Sequence, residues 1–332
     1  MTGIVLTIAS SMVLALCYLS NSIIMVSLFN LLIFDIFLVG ISLITMWTEN
    51  HSPNLERHCF GYERFQVVSV FTGTIVSLLL SFFLIKESFE RFVTPTIIYV
   101  DYLFITSIFV LILHMITIYT VYNPALKYVI SEADSNYFQN QLSDITKGLS
   151  QTYQNLGTFL LPRINPMMLL GLVTFIFSIY TDLALLSDRK YLEILMKKSQ
   201  NNNSEAGMEY TQVDTICGVL SAICTILTML PLAKYTGKIL LQTCPTKIAP
   251  LIERSIRECY TIPGVVEFKN EHFWSVGFGY ICGSIWVRVK QNADEQQVVS
   301  IIFNKFSAYA QRLTIQIYKD TWSGIPQNYN HH

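Results

Sequence analysis

Charge is scarce in this sequence. Lys, Arg, Asp and Glu together make up 14% of the 332 residues, against roughly 25% in an ordinary soluble domain. With 52% hydrophobic residues and a mean hydropathy of +0.44, the composition is that of a chain solvated by lipid. No Lys/Arg cluster is long enough to follow a phosphate backbone, and a formal net charge of −1 offers no attraction for one, so nucleic acid is not an expected partner. Cysteine is present but unpatterned: Cys17, Cys59, Cys217, Cys224, Cys244, Cys259 and Cys282 include no C-x-x-C pair and read as buried or reduced thiols. No nucleophile–base pair, phosphate loop or paired-carboxylate pattern is legible, which argues against an enzyme. The first apolar stretch, from Ile4, has neither a basic flank nor an A-x-A cleavage site, and reads as a span and not as a removable signal peptide.

What the chain has instead is long apolar runs. About 20 apolar residues cross roughly 30 Å of hydrocarbon, and six windows meet that length: 3–20, 23–47, 66–85, 98–122, 165–187 and 214–234. The polar segment 123–164 carries apolar positions at helical spacing and reads as an interfacial, amphipathic stretch. Residues 188–213 read as a polar loop around an Asn run. From about 240 no apolar run is long enough to span. The pattern there predicts helix 246–259, strands 265–276 and 279–290, helix 294–311 and strand 313–319, with Gly277 and Gly279 at the bend. That αββαβ order predicts a small α+β domain with two helices on one face of a sheet. Expected boundaries are a six-span transmembrane domain at 1–239, an α+β domain at 240–322 and a tail at 323–332. Six spans put both termini on one side, and a folded C-terminal domain favours the cytosol, although Lys and Arg lie in loops of both sides.

Within the second run, "NLLIFDIFLVG" (30–40) holds a single carboxylate, Asp35. A charge at the bilayer centre costs from a few to more than ten kcal/mol, so this acid needs a partner or a purpose. The bland expectation is a neutral, protonated acid hydrogen-bonded to Asn30 or to a nearby backbone carbonyl; a proton or cation role and a full metal site are the alternatives.

Two further patterns go beyond composition. "FGYERFQVV" (60–68) opens the third span and "LIKESFERF" (84–92) closes it. "LLPRINP" (160–166) leads into the fifth, while "LLQTCPTK", "IPGVVEFKNEHFWSVGFGYICGSIWVRV" and "LTIQIYKD" run through the C-terminal domain. With six spans, this chain resembles, over nearly its whole length, the cation diffusion facilitator family of zinc transporters. The resemblance implies an α-helical membrane protein with six transmembrane helices and a C-terminal ferredoxin-like α+β domain that dimerises in the cytosol. Family members are proton-coupled zinc antiporters whose His and Asp ligands lie at i and i+4 on spans two and five. Residues four apart share a helix face, and two such pairs make a tetrahedral site for Zn²⁺.

Laid over that pattern, "SNSIIMVSLFNLLIFD" puts Leu28 at the first Asp of span two, Leu31 at the His and Asp35 at the last Asp. In span five, "INPMMLLGLVTFIFSIYTDL" puts Met167 at the His and Gly171 at the Asp. A rival registration uses Asn140 and Asp144 of "NQLSD", but 165–187 is the more apolar window. Neither registration retains a His, and a site of at most two carboxylates without imidazole is poor for zinc. Asp35 therefore reads as the remnant of a transport site.

Other residues receive lesser expectations. His51, His58 and Cys59 are a possible loop metal site, with a solvated loop as the simpler reading. His114, alone in span four, reads as a packed core histidine. His272 packs a strand as easily as it binds metal, and Trp274 and Trp286 are expected to pack the sheet. Glu63, Arg64, Lys86, Glu87, Glu90 and Arg91 bracket span three as interfacial ion pairs. Sequons stand at Asn50 and Asn202, and Asn202 is the glycosylation candidate.

Taken with the loss of ligands on a retained scaffold, the family resemblance implies an auxiliary, non-transporting subunit of a heterodimeric zinc transporter in Golgi or early secretory membranes. It would pair with an active transporter of the same family, with membrane lipid as its solvent and no tightly bound cofactor, zinc being the ion that the complex carries. The alternatives are an active proton-coupled antiporter for zinc or manganese, working as a homodimer through Asp35 and Asp144, and a zinc sensor acting through His51, His58 and Cys59.

Overall fold

In the computed structural model the described residues are 2–51, 60–94, 98, 103–132, 166–198 and 208–319. They fall into two compact units, Met1–Asn54 with Phe65–Gly237, and Leu55–Arg64 with Lys238–His332.

The first unit is helical. In hydrocarbon no water can satisfy a backbone N–H or C=O, so each apolar run closes its own hydrogen bonds as a helix. The long helices are α1 (Thr2–Ser20), α2 (Ile23–Asn50), α3 (Glu63–Val93), α4 (Leu103–Thr120), α6 (Pro166–Lys198) and α7 (Met208–Leu240), with a short α5 (Pro124–Glu132) between α4 and α6. Six of them are long and apolar enough to cross a membrane, and their most apolar windows have mean hydropathies of 2.0–2.4. Each overlaps a window expected from the sequence. The fourth is shorter than expected, ending at Thr120, because Asn123 and Pro124 begin α5: the Asn123 side chain accepts from the Leu126 N–H at 3.2 Å, and Pro at the first helical position needs no hydrogen-bond partner. Of the expected amphipathic stretch 123–164, α5 is the described part; the remainder lies outside the described residues.

The turn between α1 and α2 is only two residues long. Asn21 takes a left-handed conformation (φ 56°), which Asn tolerates better than most residues. α2 is the hub of the unit, packing on α1, α4, α5 and α6, while α4 also packs along α6. Ile23 of α2, Leu84 of α3 and Ala222 of α7 share one buried cluster.

The second unit runs α8 (Ala249–Cys259), β1 (Val265–Gly277), β2 (Tyr280–Val289), α9 (Glu295–Phe306) and β3 (Arg312–Lys319), the αββαβ order expected. The sheet order is β1-β2-β3. β1 and β2 pair antiparallel around a two-residue turn, Gly277 opposite Tyr280, where Gly279 takes φ 73°. β2 and β3 pair parallel, Cys282 opposite Arg312 through to Val289 opposite Lys319, with α9 as the crossover. Ile252 and Cys259 of α8, Val298, Ile302 and Phe306 of α9, and Phe268, Ile285, Val287 and Val289 of the sheet form one core. The helix expected over 294–311 is shorter: Asp294 caps its start by accepting from the Gln296 and Gln297 N–H groups, and it ends at Phe306. Trp274 meets the Phe60 ring edge-on at 6.4 Å; Trp286, likewise expected to pack the sheet, stands on its central strand β2 but outside the core. It is 41% exposed, because strand alternation puts Ile285 and Val287 on the covered face and Trp286 on the other.

Candidate functional site

Asp35 lies about midway along α2 and His114 near the middle of α4, and both side chains are 0% exposed. His114 Nδ1 stands 2.7 Å from Asp35 Oδ1, and His114 Nε2 stands 3.0 Å from the Met167 carbonyl oxygen on α6. The carbonyl has no proton to give, so Nε2 carries the hydrogen and donates it. One further proton then lies between Nδ1 and Oδ1, on either atom, and the pair as a whole is electrically neutral. That neutrality is what allows two ionisable groups at this depth without the cost of an isolated charge. The second carboxylate oxygen, Oδ2, is buried with no hydrogen-bond partner among the described residues.

One expectation is corrected here. Asp35 was expected to bond to Asn30 or a backbone carbonyl; it bonds to His114, because α4 packs against α2 at that level. No His stands at the ligand positions of spans two and five, but the centre of the bundle does hold an imidazole, the buried and hydrogen-bonded His114. It arrives from span four, outside the spans in which ligands were sought.

Of the other expected ligand positions, Met167 and Gly171 lie against the His114 ring. Leu28, Leu31 and Met167 are buried, and none supplies a hard side-chain ligand. Gly171, one turn beyond Met167, has the His114 ring directly above its Cα: a Cβ there would lie 2.3 Å from the ring Cδ2 and 2.7 Å from Nε2. Leu31 instead lines a separate small cavity of about 20 Å³ with Ser27, Ser77, Ser81 and Thr174, large enough for about one water. The structure thus gathers Asp35, Met167 and Gly171 around one imidazole and keeps Leu31 to the side. Among the described residues no three His, Cys, Asp or Glu side chains lie close enough together to hold a metal ion.

The remaining expected residues are dispersed. His51 is exposed at the end of α2, its ring stacked on Trp47 with centroids 5.0 Å apart. His58, Cys59, Asn140, Asp144 and Asn202 lie outside the described residues, so neither the loop metal set nor the rival acid pair is placed. His272 lies on β1 opposite Ser284, exposed. At the end of α3, Lys86 pairs with Glu90 at 2.6 Å and Arg91 with Glu87 at 3.1 Å, as expected of an interfacial helix end.

Sequence reasoning passed over Asp214. Its carboxylate, on α7, is fully buried and accepts from the Ser22 hydroxyl at 2.7 Å, the Ile23 N–H at 2.6 Å and the Ile24 N–H at 3.1 Å. It caps the start of α2 from another span, satisfying amides that have no carbonyl within their own helix. Arg91 donates to the Asn21 carbonyl beside it. The available signal was an acid at the edge of an apolar run, the kind that marked Asp35.

This arrangement is that of a polytopic membrane protein with a small α+β domain and a ligand-poor centre between spans two, four and five. The chain belongs to the cation efflux family: residues 2–190 match that family's cation efflux transmembrane domain. It is similar to zinc transporter 6 of Danio rerio, 33% identical over 321 residues, which is 97% of this chain and 62% of that protein. The Homo sapiens zinc transporter 6 is likewise 33% identical, over 96% of this chain and 65% of its own length, and zinc transporter 6-A of Xenopus laevis is 33% identical over 97% and 65%. The chain therefore spans a little under two thirds of the length of the curated relatives it matches.

Proposed function

We propose that this chain is a non-transporting, auxiliary subunit of a heterodimeric zinc transporter. The active partner, which the family likeness implies to be zinc transporter 5, would move cytosolic zinc into the Golgi or early secretory lumen. This chain would supply the second half of the dimer through its α+β domain, with both termini in the cytosol. Likeness to zinc transporters supports zinc as the cargo of the complex. The observation that carries the auxiliary role is the state of the centre: the one acid at a ligand position, Asp35, is already engaged by His114, while Leu28, Leu31, Met167 and Gly171 offer no side-chain donor fit for zinc.

Zinc uptake into proteoliposomes tests the reading, with the chain alone and with a candidate partner, each with and without Asp35→Ala. The expected result is no uptake by the chain alone, and co-reconstituted uptake that Asp35→Ala lowers only as far as it lowers the amount of folded chain and that Asp35→Leu/His114→Leu leaves intact. Uptake by the chain alone that Asp35→Ala abolishes would establish the antiporter alternative instead.

A further inference from the structure

We propose that His114 is a built-in occupant of the space between spans two and five, a tethered imidazole that bridges Asp35 and the Met167 carbonyl as a bound cation would and leaves no room for one. The inference rests on the auxiliary reading and gives it a physical cause: the centre is filled as well as short of ligands.

Three observations carry it. First, the ring is bound at both ends, 2.7 Å to an acid of α2 and 3.0 Å to a carbonyl of α6, so one side chain of α4 joins the other two helices. A metal between a carboxylate and a backbone oxygen would make the same link, but by ligation in place of hydrogen bonds. Second, the ring fills the notch over Gly171. With 2.3 Å between the ring and a Cβ at that position, a ligand-bearing residue at 171 and the imidazole of His114 exclude each other. Third, Asp35 Oδ2 is buried and has no hydrogen-bond partner among the described residues. Among the described residues the imidazole is thus the one protein group that this carboxylate engages, and it does so in a neutral and closed pair. Neutrality matters here, because the pair needs no ion to balance it, and an entering metal would have to displace the ring and its proton together.

The test uses the full chain in lipid nanodiscs and reads melting temperature, with free zinc and free imidazole as probes. Wild type is expected to be unmoved by micromolar zinc. His114→Ala is expected to melt lower by roughly 5–10 °C, to recover part of that loss in millimolar imidazole, and to be raised by zinc in a manner that Asp35→Asn abolishes. Gly171→Ala provides an independent route: its methyl group pushes the ring away, so it should melt lower than wild type, and adding His114→Ala should restore part of the loss. This double variant also keeps the question answerable if His114→Ala alone does not fold. A zinc response in wild type that Asp35→Asn removes would overturn the proposal, since the space would then be open with the ring in place. So would Gly171→Ala that melts like wild type. Uptake by the chain alone, in the liposome assay, would instead sink the auxiliary reading and leave these melts to be judged separately.

Discussion

Two ionisable residues of the bilayer core, 79 positions apart in sequence, settle each other's burial. Removing one partner leaves the other buried and unpaired, at a cost of about 3–5 kcal/mol, whereas replacing both with apolar residues of similar size is often close to neutral. His114→Leu is therefore expected to lower the stability of the full chain in detergent by about that amount, and Asp35→Leu/His114→Leu to recover more than half of it. A double variant no more stable than the worse single would mean that the two side chains act separately. Asp35 was conspicuous from the sequence because an acid interrupts an apolar run. Its partner was not, because an isolated histidine in a span has no local pattern to tie it to a residue on another helix. The usable signal was physical and not periodic: two lone ionisable groups, each mid-span, each requiring a partner in lipid. That position 171 is a glycine is plain in the sequence, but the reason that nothing larger fits there, the ring above it, is a tertiary fact.

At the scale of the element, hydrophobic length located the six spans and alternation located the strands, because both are local consequences of backbone satisfaction and of burial on one face. The ends of elements were less legible, since caps decide them. α2 begins where it does because Asp214 of α7 supplies its N-cap from across the bundle. Asp214→Ala would leave the Ile23 and Ile24 amides buried without acceptors and is expected to cost about 3 kcal/mol; Asp214→Asn, which keeps one carbonyl oxygen, should cost less, as read from melts of the two variants side by side. In the sheet, Phe273 of β1 lies opposite Gly283 of β2 and stacks on Phe306 of α9 with centroids 5.5 Å apart. A Cβ at 283 would stand 2.5 Å from that ring. Gly283→Ala should therefore destabilise the α+β unit by about 1–3 kcal/mol, the usual cost of overpacking, and Gly283→Ala/Phe273→Leu should regain part of it.

Between α8 and α9 the link is electrostatic and solvent-facing. Lys305 lies 2.5 Å from Glu258, and Arg254 lies 3.0 Å from the same carboxylate. The Lys305 hydrogen bond first, and Arg254 second, hold the Glu258 carboxyl below its ordinary 4.5, while Glu258 holds Lys305 above 10.5. For the acid, the folded state prefers the charged form. Its contribution is thus fully present above 4.5 and disappears as pH falls through the lowered value. For the lysine the contribution is present below 10.5 and disappears as pH rises through the raised value. Lys305→Met should move the Glu258 titration to higher pH, seen in the carboxyl ¹³C shift of labelled protein, and the acid-side loss of stability should begin correspondingly earlier. A midpoint unchanged by the substitution would mean that the pair does not form in solution.

For the whole molecule, the number of crossings makes a prediction that no single residue makes. With α1 through α7 supplying six spans, in the order α1, α2, α3, α4, α6, α7, the sequon at Asn50 follows the second span and the sequon at Asn202 follows the fifth. Three crossings separate them, so they face opposite sides of the membrane, and glycosylation machinery confined to the lumen can reach at most one. Six crossings would put both ends of this chain on the side of Asn50, since two crossings bring the chain back to where it began. If the α+β unit is cytosolic, as dimerisation with a partner from that side requires, Asn202 is the residue that carries glycan. Asn202→Gln should then abolish a glycosidase-sensitive mobility shift of the chain in secretory membranes, and Asn50→Gln should leave the shift unchanged. The reverse pattern would put the α+β unit in the lumen, and the proposed direction of zinc movement would have to be abandoned with it. Loss of the shift in neither single variant, with its persistence in both, would require an even number of crossings between the two sequons, and would count against the six-span assignment itself.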